Sequence, residues 1–388
     1  MHKDIYKIFT SLFIGILLFP IVAPAIELTH SDNFSLNLKG TYKNLFVQSQ
    51  AQATGDPFLE SLQRLRTEWE GSFQKILTAK IIWDNELIGG NYINTPEFGL
   101  RQTSRDEPYL NMDYELVHKN NFFYGQNFYR AYLQFQPGPF TLTVGRQKLD
   151  WGVMRFFSPA DLYTRPSIFD VEREEKVGST AANLSTQISP STRLSSVYVI
   201  HPDFARSKLG QRLTQTLGRF DFSLLGGKVF RDGIVGLDFS GDVQKAGVRG
   251  ELIFDRAITG DSFFQGATGI DYGFENSFYM ALEYFYNGQG TNNALTSLPF
   301  PATGNTIQSV HQNFLGLQLK YDLTPLWIAF FQNIVDLNGG SIFMNPETKY
   351  SVYEWLDLTA GVQIPVGQGG GEFSSIPNYY YFQTQMFY

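Results

Sequence analysis

From residue 34 onward the apolar residues of this chain recur at every second position rather than every third or fourth. Phe34, Leu36, Leu38, Gly40 and Tyr42 alternate with Ser35, Asn37, Lys39, Thr41 and Lys43. Leu65, Thr67, Trp69 and Phe73 alternate with Arg64, Arg66, Glu68, Glu70 and Ser72, and Leu77, Ala79, Ile81 and Trp83 with Thr78, Lys80 and Asp84. The pattern returns late, where Leu315, Leu317, Leu319 and Tyr321 oppose Gly316, Gln318, Lys320 and Asp322. A period of two puts one set on each face of an extended strand. The chain therefore builds strands with one apolar and one polar face, about seventeen of them by this reading. The weaker segments lie around 178–188, 191–200, 218–229, 233–241 and 341–352.

Composition narrows the class. Aromatics reach 16%, a bias toward strands. There is no cysteine, which removes disulfide frameworks, thiolate metal sites and cysteine nucleophiles. A net charge of −7 argues against nucleic acid as a partner. Residues 1–25 have the form of a secretory signal peptide: Lys3 and Lys7, the apolar run Ile8 to Val22, then Ala23-Pro24-Ala25 as a cleavage site. The expectation is an exported mature chain from Ile26, with no later stretch long and apolar enough for a transmembrane helix.

Short turns such as Gln136-Pro137-Gly138-Pro139, Ser189-Pro190-Ser191-Thr192 and Phe274-Glu275-Asn276-Ser277 alternate with long connections at roughly 50–61, 87–127, 150–177, 201–217, 289–309 and 366–378. That asymmetry, together with Tyr-rich strand ends, predicts an all-β fold. It is a transmembrane antiparallel β-barrel of about 16 strands, in a range of 14–18, with long extracellular loops and short periplasmic turns. A soluble β-sandwich shares the period but rarely gathers so many aromatics at strand ends.

The terminal stretch Tyr380-Tyr381-Phe382-Gln383-Thr384-Gln385-Met386-Phe387-Tyr388 resembles the last strand of Gram-negative outer-membrane proteins, which ends in an aromatic preceded by alternating apolar residues. The resemblance implies that Phe382, Met386 and Tyr388 act as the signal read by the barrel assembly machinery. Closure of the barrel requires this strand to pair with the first, near Phe34 to Tyr42. Residues 144–163 resemble porin-like barrels and, more distantly, alginate-export-type barrels, through Gly145, Arg146, Gln147, Asp150, Trp151, Gly152, Pro159 and Asp161. These resemblances imply an outer-membrane protein of a Gram-negative bacterium, placed there after signal-peptide cleavage. Its expected partners are outer-membrane lipid and lipopolysaccharide, small hydrophilic solutes and, as in many porins, two further copies in a homo-trimer.

Charges on the inward face set what a barrel passes. The alternation turns Lys39, Lys43, Arg64, Arg66, Lys80, Arg130, Arg249 and Lys320 inward, with the acids Glu68, Glu70, Asp84, Glu251, Asp255, Glu283, Asp322 and Asp357. Residues 34–137 carry six of the bases against three acids, and residues 245–366 two against five, which predicts a transverse field. The plain alternative is a set of solubilising cross-strand pairs. Strict alternation places Arg146 with Phe140, Leu142 and Val144 on the lipid side, where a charge at mid-membrane costs about 2–4 kcal/mol. Either a bulge at Gly145 turns Arg146 inward, which we favour, or Arg146 sits at the membrane edge. The charged segment 150–177 is long enough to have a task and is expected to fold inward as a constriction carrying Asp150, Arg155, Asp161 and Arg165.

Nothing points to catalysis or a cofactor. His30, His118, His201 and His311 sit in no metal-ligand spacing, Ser309 beside His311 belongs to no hydrolase motif, and there is no glycine-rich phosphate loop. The expected function is passive diffusion of small hydrophilic solutes. A dedicated export conduit for a polysaccharide or other polymer, and a plugged structural or adhesion barrel, are the alternatives.

Overall fold

The computed structural model describes residues 26–31, 33–103, 111–163, 171, 176, 178–258, 260–291, 309 and 311–388. The predicted leader, residues 1–25, lies outside them. The described residues form twenty strands: β1 (Ile26–His30), β2 (Phe34–Gln50), β3 (Pro57–Phe73), β4 (Leu77–Gly89), β5 (Asp113–Lys119), β6 (Phe122–Phe135), β7 (Phe140–Gln147), β8 (Ser179–Ser189), β9 (Thr192–Val199) and β10 (Lys208–Leu217) make up the first half. The second half holds β11 (Phe220–Val229), β12 (Asp232–Val243), β13 (Ala246–Arg256), β14 (Phe263–Gly273), β15 (Phe278–Asn287), β16 (Asn313–Thr324), β17 (Trp327–Asp336), β18 (Ser341–Tyr353), β19 (Leu356–Val366) and β20 (Tyr379–Phe387). All pairings among them are antiparallel, and β20 pairs back onto β2, closing an 18-stranded barrel. The count lies two above the expected sixteen and within the expected range. Among the described residues no helix is long and apolar enough to cross a membrane.

The two extra strands share slots with barrel strands. β1 runs along Ser35–Leu38 of β2, below the end of β20. β20 therefore takes Thr41–Gln48 of β2, higher than the expected Phe34–Tyr42. β5 pairs with Phe122–Asn127 of β6, while β7 pairs with Ala131–Phe135 of the same strand. The region 201–217, read above as a loop, holds β10. Its outward positions Leu209, Gln211, Leu213, Gln215 and Leu217 break the alternation with two glutamines, which hid the strand.

At the end carrying both termini no turn exceeds four residues; at the other, the loop end, the connections include 90–112, 148–178 and 288–312. Many outward side chains are apolar and exposed, such as Leu224, Leu237, Leu252, Ile270 and Leu282. Three buried apolar clusters lie at the loop end. One joins Leu45, Val47, Leu62 and Ile88 to Tyr92 and Ile93, which precede helix α1 (Pro96–Thr103), and to Phe98 within it. The second packs Leu149, Trp151, Leu162 and Tyr163 on β8–β13, and the third packs Phe156, Phe157 and Phe373 on β14–β18.

Candidate channel interior

The inner wall of β2–β6 is a chain of ion pairs. Arg66 grips Asp84 through two bonds of 2.6 Å, Arg64 bonds Glu86 at 2.8 Å, and Lys80 bridges Glu68 at 2.7 Å and Glu70 at 3.1 Å. Arg101, from α1, reaches Glu60 at 3.0 Å. Glu60 and Glu86 were absent from the sequence count, and their presence narrows the basic excess of this wall. A register shift opposite Ile82/Trp83 leaves Tyr129 as the extra residue of β6. Arg66 and Arg130 both stack on its ring, with Cζ 4.0 and 4.2 Å from the centroid. Arg130 also donates to the carbonyls of Tyr129 and Lys176.

Arg146 is 3% exposed, unlike Phe140, Leu142 and Val144 before it. The ladders on both sides of β7 run without a register shift, so the expected bulge is not there. Gly145 instead adopts φ 125, where a side chain would meet the Ala131 carbonyl. Arg146 lies against Gly178 beside Arg130 and bonds Asp113 of β5 at 3.3 Å.

The segment 148–163 lies on the inner wall of β10–β16. The Glu251 carboxylate accepts the backbone N–H of Val153, Met154 and Ala160 and the Ser158 hydroxyl, at 2.5–3.1 Å. Glu283 accepts the N–H of Arg155 at 2.7 Å and of Phe156 at 2.9 Å. Both carboxylates are buried under the segment. Arg212 donates to the Trp151 carbonyl and to Asp238, and Arg249 to the Val153 carbonyl and to Asp271. Arg155 keeps a third of its side chain exposed, pairs with Asp271 at 3.3 Å and lies over the Tyr279 ring. Asp271 and Tyr279 escaped the sequence reading although inward parity would have found them. Arg212 was hidden in the missed strand.

Lys176 ties the two ends of this segment together, with bonds of 2.7 Å to both Asp150 and Asp161. Burial raises the Asp150 carboxyl, but the bonds and charges of Lys176 and then Lys148 outweigh it and hold it below the ordinary carboxylate range. Burial lowers the Lys176 ammonium, but Asp161 and Asp150 outweigh it and hold it above the ordinary lysine range. The Asp150 contribution is present above the unfolded pKa of about 3.9 and is lost as pH falls through the lower folded value. The Lys176 contribution is present below about 10.4 and is lost as pH rises through the higher folded value. The segment should stay docked between those limits and loosen beyond either. Acrylamide quenching of Trp151, with the remaining tryptophans changed to phenylalanine, should be flat across that window and rise outside it. Quenching that changes within the window would separate docking from this triad.

Elsewhere Lys320 pairs with Asp322 at 3.2 Å and Lys349 with Asp357 at 2.8 Å. Lys39 is exposed, Lys43 and Asp255 are buried, and Arg165 lies outside the described residues. At the loop end His311 is fully buried and bonds Asp336 at 2.7 Å. Ser341 also bonds Asp336, so its hydroxyl faces the acid and not the imidazole. The cluster clips together the connections around 311, 337–340 and 372. Among the described residues no group of three or more His, Cys, Asp or Glu is placed to hold a metal ion.

No family model matches the chain, and no curated protein matches it. Solved structures do. OccAB4 of Acinetobacter baumannii is 10% identical with TM-score 0.57, covering 93% of this chain and 99% of that one. The outer membrane protein OprD from Pseudomonas aeruginosa is 10% identical with TM-score 0.58, covering 95% and 97%. OpdK of Pseudomonas aeruginosa, solved with vanillate, is 11% identical with TM-score 0.57, covering 91% and 98%. At these identities the likeness is one of fold: a porin-like barrel, matched over nearly its whole length.

Proposed function

We propose that the chain is an outer-membrane channel of a Gram-negative cell, reached after removal of residues 1–25, through which small hydrophilic solutes diffuse. The observation that carries this reading is the two-sided wall. Leu224, Leu237 and Leu252 suit lipid on the outside, while Lys80, Glu68, Arg66, Lys320 and Asp322 offer water paired charges on the inside. The inserted segment with Asp150, Arg155 and Asp161 is the constriction. Three apolar clusters at the loop end favour a narrow passage over a polymer conduit, and a neighbour solved with vanillate agrees with cargo of that scale. The ion-paired wall also lacks the basic surplus expected of an exporter for an acidic polymer.

Purified, refolded protein in a planar bilayer should give stable conductance steps that scale with salt. Arg155→Ala, which removes the exposed guanidinium of the constriction, should move the reversal potential in a salt gradient toward cation selectivity. Silence from a folded barrel would favour the plugged reading, and an unchanged reversal potential would take Arg155 out of the solute path.

A further inference from the structure

One sector of the outer wall is not apolar. On β2, β3, β4 and β6 the outward positions Tyr42, Asn44, Gln63, Asn85, Tyr124 and Gln126 form a belt of hydroxyls and amides. The ladders align them in two groups, Asn44 opposite Gln63 and Asn85 opposite Gln126, with Leu65 and Leu87 standing between the groups. Gln126 donates to Asn85 Oδ1 at 2.7 Å and to the Tyr124 hydroxyl at 3.0 Å; Tyr124 donates to the same Oδ1 at 3.1 Å. Tyr42 donates to Gln63 at 3.3 Å. In these bonds Asn85 acts only as acceptor, and its NH2 group takes no part.

The belt is not at the rim of the barrel. Along the same strands it is flanked toward the loop end by exposed Leu59, Leu87 and Phe122, and toward the termini by exposed Trp69, Ile81 and Leu133. It therefore lies inside the apolar band, where lipid tails offer no hydrogen bonds. Across the barrel, Leu224, Leu237, Leu252, Ile270 and Leu282 occupy the corresponding outward positions. The belt's side chains are neutral, and each amide is both donor and acceptor. A face of that kind complements another copy of itself. Next to the belt the wall is indented: a cavity of about 1350 Å3 is lined by Gln63 of the belt and, outside it, by Phe46, Leu87, Ala360, Val362 and Phe382, among others.

We propose that this sector is the contact through which two copies of the chain associate in the membrane. The inference rests on the reading that the outward wall meets lipid. Because the chain has no cysteine, a single introduced thiol reports its own surroundings. Gln63→Cys and, across the barrel, Leu237→Cys would each be oxidised in intact membranes. Gln63→Cys should give a band at twice the chain mass, and Leu237→Cys should stay monomeric. Adding Asn85→Leu and Gln126→Leu to Gln63→Cys should abolish the band while the heat-modifiable folded form persists. A monomeric Gln63→Cys, equal cross-linking from both positions, a product of another mass, or a band that survives the two leucines would each overturn the interface. Absence of the protein from the membrane fraction would instead overturn the membrane reading on which it rests.

Discussion

Glu251→Ala should widen the proposed channel by releasing the inserted segment from the wall. The carboxylate accepts three backbone N–H groups and one hydroxyl from residues 153–160. Each bond to a charged group is worth about 1.5–3 kcal/mol, and each buried donor left unsatisfied costs about 1–3 kcal/mol. No neighbour can replace it at once, because Glu283 already holds Arg155 and Phe156. The segment should swing off the wall, raising single-channel conductance and exposing the Arg155–Phe156 bond to trypsin. Glu251→Gln, which keeps the shape and loses the charge, should show a smaller effect in the same direction. A folded Glu251→Ala barrel with wild-type conductance and trypsin resistance would show that the apolar contacts of Trp151 and Phe156 hold the segment unaided.

The second large effect is expected at the seam where the barrel closes. Gly40 and Tyr388 exchange backbone hydrogen bonds of 2.6 and 2.9 Å, and the Tyr388 ring occupies the space that a side chain at Gly40 would need. Gly40→Leu should evict the ring while leaving the terminal sequence intact. Losing about 1–2 kcal/mol of seam packing lowers the folded-to-unfolded ratio roughly five- to thirtyfold. The heat-modifiable band on a gel measures that ratio. Tyr388→Ala removes the same packing and, in addition, the aromatic that we propose the assembly machinery reads together with Phe382 and Met386. If Gly40→Leu assembles like the wild type while Tyr388→Ala fails, the tyrosine acts through recognition and not through the seam.

Periodicity was a good guide to sidedness because burial alternates with the pleat. Arg64, Arg66, Lys80 and Glu68 could be turned inward from their neighbours alone. It was a poor guide wherever the inner wall meets something other than water. Leu45, Val47, Ile253, Ile334 and Phe343 face inward and are buried because inserted segments cover them. That covering is a contact between residues far apart in the chain, and no local pattern records it. The same holds for Glu251 and Glu283: their inward parity was legible, but their use as anchors for residues 153–160 was not. Arg146 shows a third limit. Alternation assumes an unbroken pleat, and one glycine at positive φ is enough to turn a side chain without changing the register.

The way β7 gives up its slot has a mechanical consequence. β5 stands above β7 on the edge of β6, and among the described strands β6 is its sole ladder partner. Most of the wall is stitched by ladders on both sides, whereas this corner has no ladder to β7 among the described strands and meets it through side chains such as Arg146, bonded to Asp113. The inserted segment begins at Lys148, two residues beyond that arginine. A ladder resists shear along its length, whereas a point contact acts as a pivot. A tilt of the inserted segment would therefore be felt through Arg146 at β5, joining the inner wall of the barrel to its loop end.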